Sequence, residues 1–578
     1  MTLRVLIFFL IFSNIANAQL AFDDVAAQIG VNYSYGDSEY GGGVSFADFD
    51  NDGWDDITYT SENGVDIYFL KNTNGDFNLV SFSGISNTNK TKQVIWVDYD
   101  NDGDKDLFIT ALEGKNSFYI NDGEMNFTDI SSSIGIFQTD LFTYGASFGD
   151  IDNDGDLDLF ISNRSPVDHN YLYRNDSGTY VDITNSSGIS LEGQLSFCSI
   201  FFDYDKDGLQ DIYVSNDKEE NINRLYKNLG DGVFQDVSDF SNAGVDVSAM
   251  STTLGDFNND GWFDIYITNT PFSQISSIVG NVLLKNNGDG TFTNIATETG
   301  TSFDSLGWGS VFLDADNDGL LDLYVSSSLD GSAQFLSSAF YHQQNDETFI
   351  IPQDIGFSSD LRESYSNAIG DINNDGKPEI VVVNDTENNF LWQNNTSNQN
   401  NWLKVKLEGV ISNRDGIGNT IEINVDGQSQ YRYTLAGEGY LSQNSFYEFF
   451  GIGEADEVDY VKVTWTATGE TETINNISSN QSIIIKEGSG ILSNDTVLKA
   501  TTSFGVYPNP SNNGIFKITT SNQEIISLQV FDLSGRLIIK KSDISNNDEI
   551  NLSQYQKGIY MARLSSKTKN EVLKLILD

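Results

Sequence analysis

The sequence predicts an all-β fold: a seven-bladed β-propeller, then a small β domain, then a C-terminal immunoglobulin-like β-sandwich. Three observations predict it. An acidic nine-residue pattern recurs seven times at nearly constant spacing. Short β-branched and aromatic runs flank the copies, three or four residues long and without helical period, as buried strands require. Turn residues are dense, with 51 Gly and abundant Asn and Ser, which favours many short strands over long helices. At 578 residues the chain is too long for one core.

The copies are DFDNDGWDD from Asp48, DYDNDGDKD from Asp98, DIDNDGDLD from Asp150, DYDKDGLQD from Asp203, DFNNDGWFD from Asp256, DADNDGLLD from Asp314 and DINNDGKPE from Asp371. Their spacings are 50, 52, 53, 53, 58 and 57 residues. An apolar run such as Val94–Val97 precedes the loop and another such as Leu107–Ile109 follows it. A hairpin with Asn, Gly and Asp at its turn comes next, as in Asn223–Val237 and Asn281–Ile295. Four strands in about 50 residues is the size of a propeller blade.

Fourth strands show how the ring closes. An aromatic, then Asp or Asn with an aliphatic, then Gly follows the first six loops, beginning at Phe77, Phe127, Tyr180, Phe234, Phe292 and Phe349. The seventh loop lacks it, and a surplus copy, Phe22–Gly30, stands before the first. That segment is expected to complete the last blade and remove the free sheet edge, giving a propeller over residues 19–398.

Each loop sets side-chain oxygens at positions one, three, five and nine, with Gly at position six for the sharp turn. The candidate metal ligands are Asp48, Asp50, Asp52 and Asp56; Asp98, Asp100, Asp102 and Asp106; Asp150, Asp152, Asp154 and Asp158; Asp203, Asp205, Asp207 and Asp211; Asp256, Asn258, Asp260 and Asp264; Asp314, Asp316, Asp318 and Asp322; and Asp371, Asn373, Asp375 and Glu379. All-oxygen cages of this kind suit Ca²⁺. Position twelve, the bidentate Glu of an EF-hand, is here a strand residue such as Ile109 or Val214, so the ninth-position acid closes the cage. Two carboxylates ~4 Å apart repel by about 4 kcal/mol at an effective dielectric near 20, which disfavours four in one loop without a cation. Up to seven structural Ca²⁺ are expected, and an Asp-rich turn that binds nothing is the alternative.

These repeats resemble the FG-GAP/VCBS repeats of integrin α-like propellers. The resemblance implies a structural calcium between the first and second strands of each blade and a ligand on the opposite face. Beyond the propeller, residues 399–488 hold WLKVKL (Trp402–Leu407), RDGIGNTIEINVDG (Arg414–Gly427), GEGYLSQNS (Gly437–Ser445) and VDYVKVTW (Val458–Trp465). This resembles the ASPIC/UnbV domain of cartilage acidic protein-like proteins, although Trp465–Gly469 lacks the proline usual in that family. Residues 489–503 read as a polar linker. Residues 504–578, with YPNPSNNGIFKI, LQVFDLSGRLI and KGIYMARL, resemble the type A C-terminal sorting domain of type IX secretion. That resemblance implies the secretion machinery as a partner and removal of the domain on export.

Residues 1–18 carry Arg4, a short apolar core and an Ala16-Asn17-Ala18 site, the pattern of a signal peptide. With no other candidate span, the expected location is extracellular or at the outer-membrane surface. A formal charge of −53 argues against nucleic acid and anionic membranes as partners. The one cysteine, Cys198, excludes an internal disulfide. His169 and His342 sit in no catalytic motif. The expected function is therefore a calcium-stabilised binding protein for glycans or surface proteins, and not an enzyme. A propeller-type polysaccharide lyase or sugar dehydratase and a structural surface component are the alternatives. Tyr33, Tyr35, Tyr40, Phe142, Tyr144, Trp308 and Tyr365 precede or begin first strands on the opposite face. They suit sugar stacking or a protein anchor, and equally suit packing of the inner mouth.

Overall fold

The computed structural model describes residues 20–578, except 38, 138, 219–220, 272–277, 330–335, 358–359, 496–503, 508–510, 512, 521–525, 533–535, 545–547, 566–569 and 578. The expected signal peptide therefore lies outside the described residues. The fold is all-β and propeller-like. Seven antiparallel sheets follow one another, each built around one acidic loop. Their first strands are Val44–Ala47, Lys90–Val97, Thr143–Gly149, Ser196–Phe202, Ala249–Gly255, Gly307–Leu313 and Ser364–Gly370. Each first strand contacts the next, and the last contacts Val44–Ala47, so the order is cyclic. These strands are almost wholly buried, which is why they read as continuous apolar runs without alternation.

The ends of the chain meet in one sheet. Phe22–Asp24 pairs antiparallel with Phe390–Asn394, with Phe22 opposite Asn394 and Asp24 opposite Trp392. The fourth strands are short, and in four sheets a single helical turn follows, at Ala26–Ile29, Thr184–Ser187, Ser238–Ser241 and Ala296–Thr299. This turn accounts for the recurring motif. Its Asp or Asn accepts the N–H two residues on, as Asp182 does from Thr184 and Asp236 from Ser238, both through Oδ1. Its Gly is the left-handed cap, with φ of 81° at Gly30 and 90° at Gly188.

The following segment is a β-sandwich of two four-stranded sheets. One sheet orders Glu448–Gly451, Trp402–Glu408, Gln481–Lys486 and Gly490–Asp495. The other orders Gln428–Tyr433, Thr420–Val425, Glu457–Trp465 and Glu470–Ser478. Leu403, Val405, Ile421, Val461, Trp465 and Ile483 fill the space between them. Gly490–Asp495 falls within the stretch expected to be linker, yet it is an edge strand of this sandwich.

Ring and sandwich form one compact unit through Thr496, because the sandwich threads a loop into the ring's centre. Ser442–Gln443 adds a short parallel strand to Val44–Ser45. The N–H of Phe148 donates to Ala436 O (2.9 Å), and that of Gly439 to Thr252 O (3.0 Å). The Gln443 amide pairs with both the N–H and the C=O of Trp96 (2.8 Å each). Fully buried Tyr440 packs on Phe197 and Trp308 at ring-centre distances of 5.5 and 5.0 Å, and its hydroxyl donates to Tyr40 O (2.6 Å). Gly437 has φ of 85°, and a Cβ there would lie 2.5 Å from Ala146 O, so only glycine lets the plug enter.

The second compact unit is Val497–Asp578. It pairs a three-stranded sheet (Phe504–Tyr507, Ile515–Thr520, Glu549–Asn551) with a four-stranded one (Leu537–Ile544, Ile526–Asp532, Gly558–Ser565, Asn570–Leu577) around Phe516, Leu528, Val530, Leu564 and Leu575.

Tyr440→Ala removes the plug's anchor from a fully buried site. It should lower the unfolding free energy of the ring–sandwich unit by about 3 to 5 kcal/mol, read as a reduced denaturant midpoint.

Candidate metal centres

The seven acidic loops fold alike because their carboxylates satisfy their own backbone. Position one accepts the N–H of position five (3.0–3.1 Å) and that of the Gly at position six (2.7–3.0 Å) in every loop. Position nine accepts the N–H of position two, as Asp56 does from Phe49 (3.1 Å) and Glu379 from Ile372 (2.9 Å). In loops one to six its other oxygen accepts an N–H from the third strand, as Asp56 does from Asn72 and Asp211 from Asn228 (2.7 Å each).

The loops are also tied to one another. Position four has left-handed φ, between 55° and 61°, in all seven loops, which favours its usual Asn. That Asn side chain donates to the position-six carbonyl of the next loop: Asn51 to Gly103 (3.3 Å), Asn101 to Gly155 (3.0 Å), Asn153 to Gly208 (2.9 Å), Asn259 to Gly319 (3.2 Å) and Asn317 to Gly376 (3.3 Å). Asn374 closes the circle on Gly53 (3.0 Å). Loop four has Lys206 instead, lying over the Trp262 ring at 4.1 Å. Sequence reading missed this circuit, although Asn at position four in six of seven copies was the available signal.

The expected ligands gather in part. One oxygen from each member of Asp48, Asp50 and Asp56 lies within 4.8 Å of the others. The same holds for Asp98, Asp100 and Asp106; Asp150, Asp152 and Asp158; Asp203, Asp205 and Asp211; and Asp314, Asp316 and Asp318. Position five thus joins the group only in loop six. In all seven loops position five accepts the N–H of position seven through Oδ1 (2.9–3.1 Å). In loop six, Asp322 holds His342 Nδ1 at 2.9 Å. In loops five and seven, Asn258 and Asn373 donate to Asp260 (2.9 Å) and Asp375 (3.3 Å), while Asp256, Asp264, Asp371 and Glu379 keep the backbone contacts of the other loops.

A divalent cation fits these groups. Oδ1 of Asp50, Asp152, Asp205 and Asp316 and Oε1 of Glu379 are buried without a hydrogen-bond partner. Burial, reinforced by neighbouring carboxylates, pushes Asp56 and Asp106 up to about 9 and Asp98 to about 8. Burial likewise lifts Asp158, Asp211 and Asp264 far above the carboxylate range.

Several cages also meet a cation from the third strand. Lys71 pairs with Asp50 and lies 3.1 Å from Asp52, and Lys227 pairs with Asp205 and lies 3.0 Å from Asp207. Arg174 stands 3.9 Å from Asp152, but its fork is held by Asp176 at 2.7 and 3.1 Å.

The sandwich covers this face. Asp415 accepts the N–H of Asp98 (2.8 Å) and pairs with buried Lys105. Lys404 reaches Asp371 (2.8 Å), Arg414 N–H donates to Asn101 Oδ1 (2.7 Å), and Ser445 donates to Asp55 (2.8 Å). Of the aromatics expected on the opposite side, Tyr35, Tyr144, Trp308 and Tyr365 are buried, the last three in the cluster around Tyr440. Phe142 is 54% exposed. Cys198 is a buried thiol beside Met250 O (3.3 Å).

Residues 48–109, 98–161, 154–214, 203–267 and 275–325 match the FG-GAP-like repeat, 409–492 match ASPIC and UnbV, and 505–578 match the secretion system C-terminal sorting domain. The chain is an FG-GAP-repeat protein with an ASPIC/UnbV domain and a C-terminal sorting domain. The repeats are the ring, and the ASPIC/UnbV segment supplies the plug. Cartilage acidic protein 1 is similar: 28% identical over 32% of this chain in Mus musculus and in Homo sapiens, and 24% over 44% in Xenopus tropicalis. These matches span 28%, 28% and 39% of the relatives' own lengths. A solved luciferin-regenerating enzyme overlaps at a TM-score of 0.31 with 9% identity, over 65% of this chain and 97% of that one. The sorting domain marks the chain for type IX export to the cell surface or beyond. Among the described residues no helix is long and apolar enough to cross a membrane.

An acid whose folded-state value is raised holds its proton longer in the native state, so stability falls as pH rises from its unfolded value through its folded one. In chelator, the melting temperature should therefore decline between about pH 4 and pH 9. A divalent cation held by the deprotonated cages would abolish that decline, as differential scanning fluorimetry across pH with and without excess Ca²⁺ would show.

Proposed function

We propose that this surface or recognition protein is a calcium-stabilised seven-bladed propeller that binds a glycan or a surface protein. The ligand meets the face away from the acidic loops. The observation that carries this reading is the division of the ring's two faces. The acidic-loop face is occupied by the ASPIC/UnbV domain. The loops on the other side present Phe142, Val167, Leu191, Val279, Leu336 and Leu361, each at least 47% exposed. Exposed apolar side chains set in a polar rim suit recognition of a partner surface.

The acids grouped in each loop would hold the cation, which would supply the positive charge that these buried carboxylates lack. The chain's own residues hold the loop in shape around that point through the position-one and position-nine hydrogen bonds. Binding rather than catalysis is supported by where the histidines sit. His342 is held by Asp322, and His169 packs on the Tyr171 ring at 4.7 Å.

Removing metal with EDTA should lower the melting temperature of the exported protein, and Ca²⁺ should restore it. One site filled at 100 times its dissociation constant contributes about 2.7 kcal/mol. An unchanged melt would remove calcium from this reading.

For the ligand face, a glycan array and a surface-protein pull-down with the calcium-loaded chain are the direct measurements. Phe142→Ser with Val167→Ser should weaken any ligand found by about tenfold or more while leaving the melting temperature unchanged. Equal binding by this variant would place the ligand elsewhere.

A further inference from the structure

The seven cages differ in one position that the repeat pattern does not include. It is the third-strand residue just before the Asn or Gln whose N–H meets position nine. Along the chain it is Lys71, Ile120, Arg174, Lys227, Lys285, His342 and Gln393. In loops one and four this side chain is an ammonium seated between positions three and five. In loop two it is an isoleucine, and the nearby Lys105 is taken by Asp415. Among the described residues no ion pair reaches Asp98, Asp100, Asp102 or Asp106. Asp104 adds a fifth carboxylate there, with a buried oxygen that has no hydrogen-bond partner. In loop three the guanidinium is turned onto Asp176, and Asp156 adds to the charge.

We infer that this third-strand position grades the cages. Loops two and three are the tight divalent-cation sites, and in loops one and four Lys71 and Lys227 act as built-in counterions that a metal must displace. The inference rests on the calcium reading above. Affinity in all-oxygen sites follows the net ligand charge. Loop two offers four uncompensated carboxylates. Loops one and four offer four carboxylates and one ammonium. Loops five and seven, each with an Asn at position three, offer three. In loop seven Lys404 is also bound to Asp371, with its side chain only 2% exposed, which makes loops five and seven the weakest. Loop six, whose Asp322 is engaged by His342, falls between.

The test counts bound Ca²⁺ per full-length chain by elemental analysis after desalting into low-calcium buffer, with a titration for the weaker sites. The wild-type protein should retain about two tight equivalents. Lys71→Ile with Lys227→Ile should raise that to about four, Lys71→Arg should leave it unchanged, and Asp100→Asn should lower it by about one. The reciprocal change Ile120→Lys should also lower it by about one, and it decides the matter if the lysine variants fail to fold. A single affinity across all sites, or counts that ignore these substitutions in folded protein, would overturn the grading while leaving calcium binding intact. A wild-type chain that binds no Ca²⁺ at all would overturn both.

Discussion

Every sheet of the ring depends on one buried carboxylate, the acid at position nine. It accepts an N–H from its own loop in all seven sheets and, through its other oxygen, one from the third strand in the first six. Removing such an acceptor would strand two buried donors, each costing about 1–3 kcal/mol. The same burial makes ionisation unfavourable, so the group that shapes the loop also creates the local need for a cation. Loop shape and carboxylate ionisation are coupled at one atom pair, repeated around the ring.

The circuit of Asn side chains converts seven local solutions into one cooperative object. Each link spans some fifty residues, and the last joins Asn374 to Gly53, 321 positions apart. The strand Phe22–Asp24 closes the circle a second time, on the outer edge. The plug closes it at the centre, through hydrogen bonds to first strands from Val44 to Ile369. A ring held at loop face, rim and axis leaves only its short fourth strands as sheet edges, which suits a protein exported through a sorting domain.

The ASPIC/UnbV domain changes the meaning of the two faces. Lys404, Arg414 and Asp415 place charged groups against loops seven and two, so part of the acidic face is covered within the molecule. The aromatic residues that look like a binding platform in one dimension are the far wall of the same channel, with Tyr440 filling it from below. The outer loops instead carry apolar side chains in the open, where Phe142 and Val167 stand exposed.

The sequence by itself determined the repeat, its strand content, the ninth-position closure of the loop and the joining of the chain ends. All of these are written in local spacing: nine residues for a loop, about fifty for a sheet, and a surplus motif at Phe22. It also carried the sorting domain as an ordered set of short motifs. Only the tertiary structure decided that Asn at position four links neighbouring loops and that Gly437–Ser445 is a plug. The reason is physical. Those outcomes depend on which groups meet after segments from some fifty to more than 300 residues apart have packed, as Asn51 with Gly103, Gln443 with Trp96 and Asp415 with Asp98 have done, and no local pattern encodes that meeting.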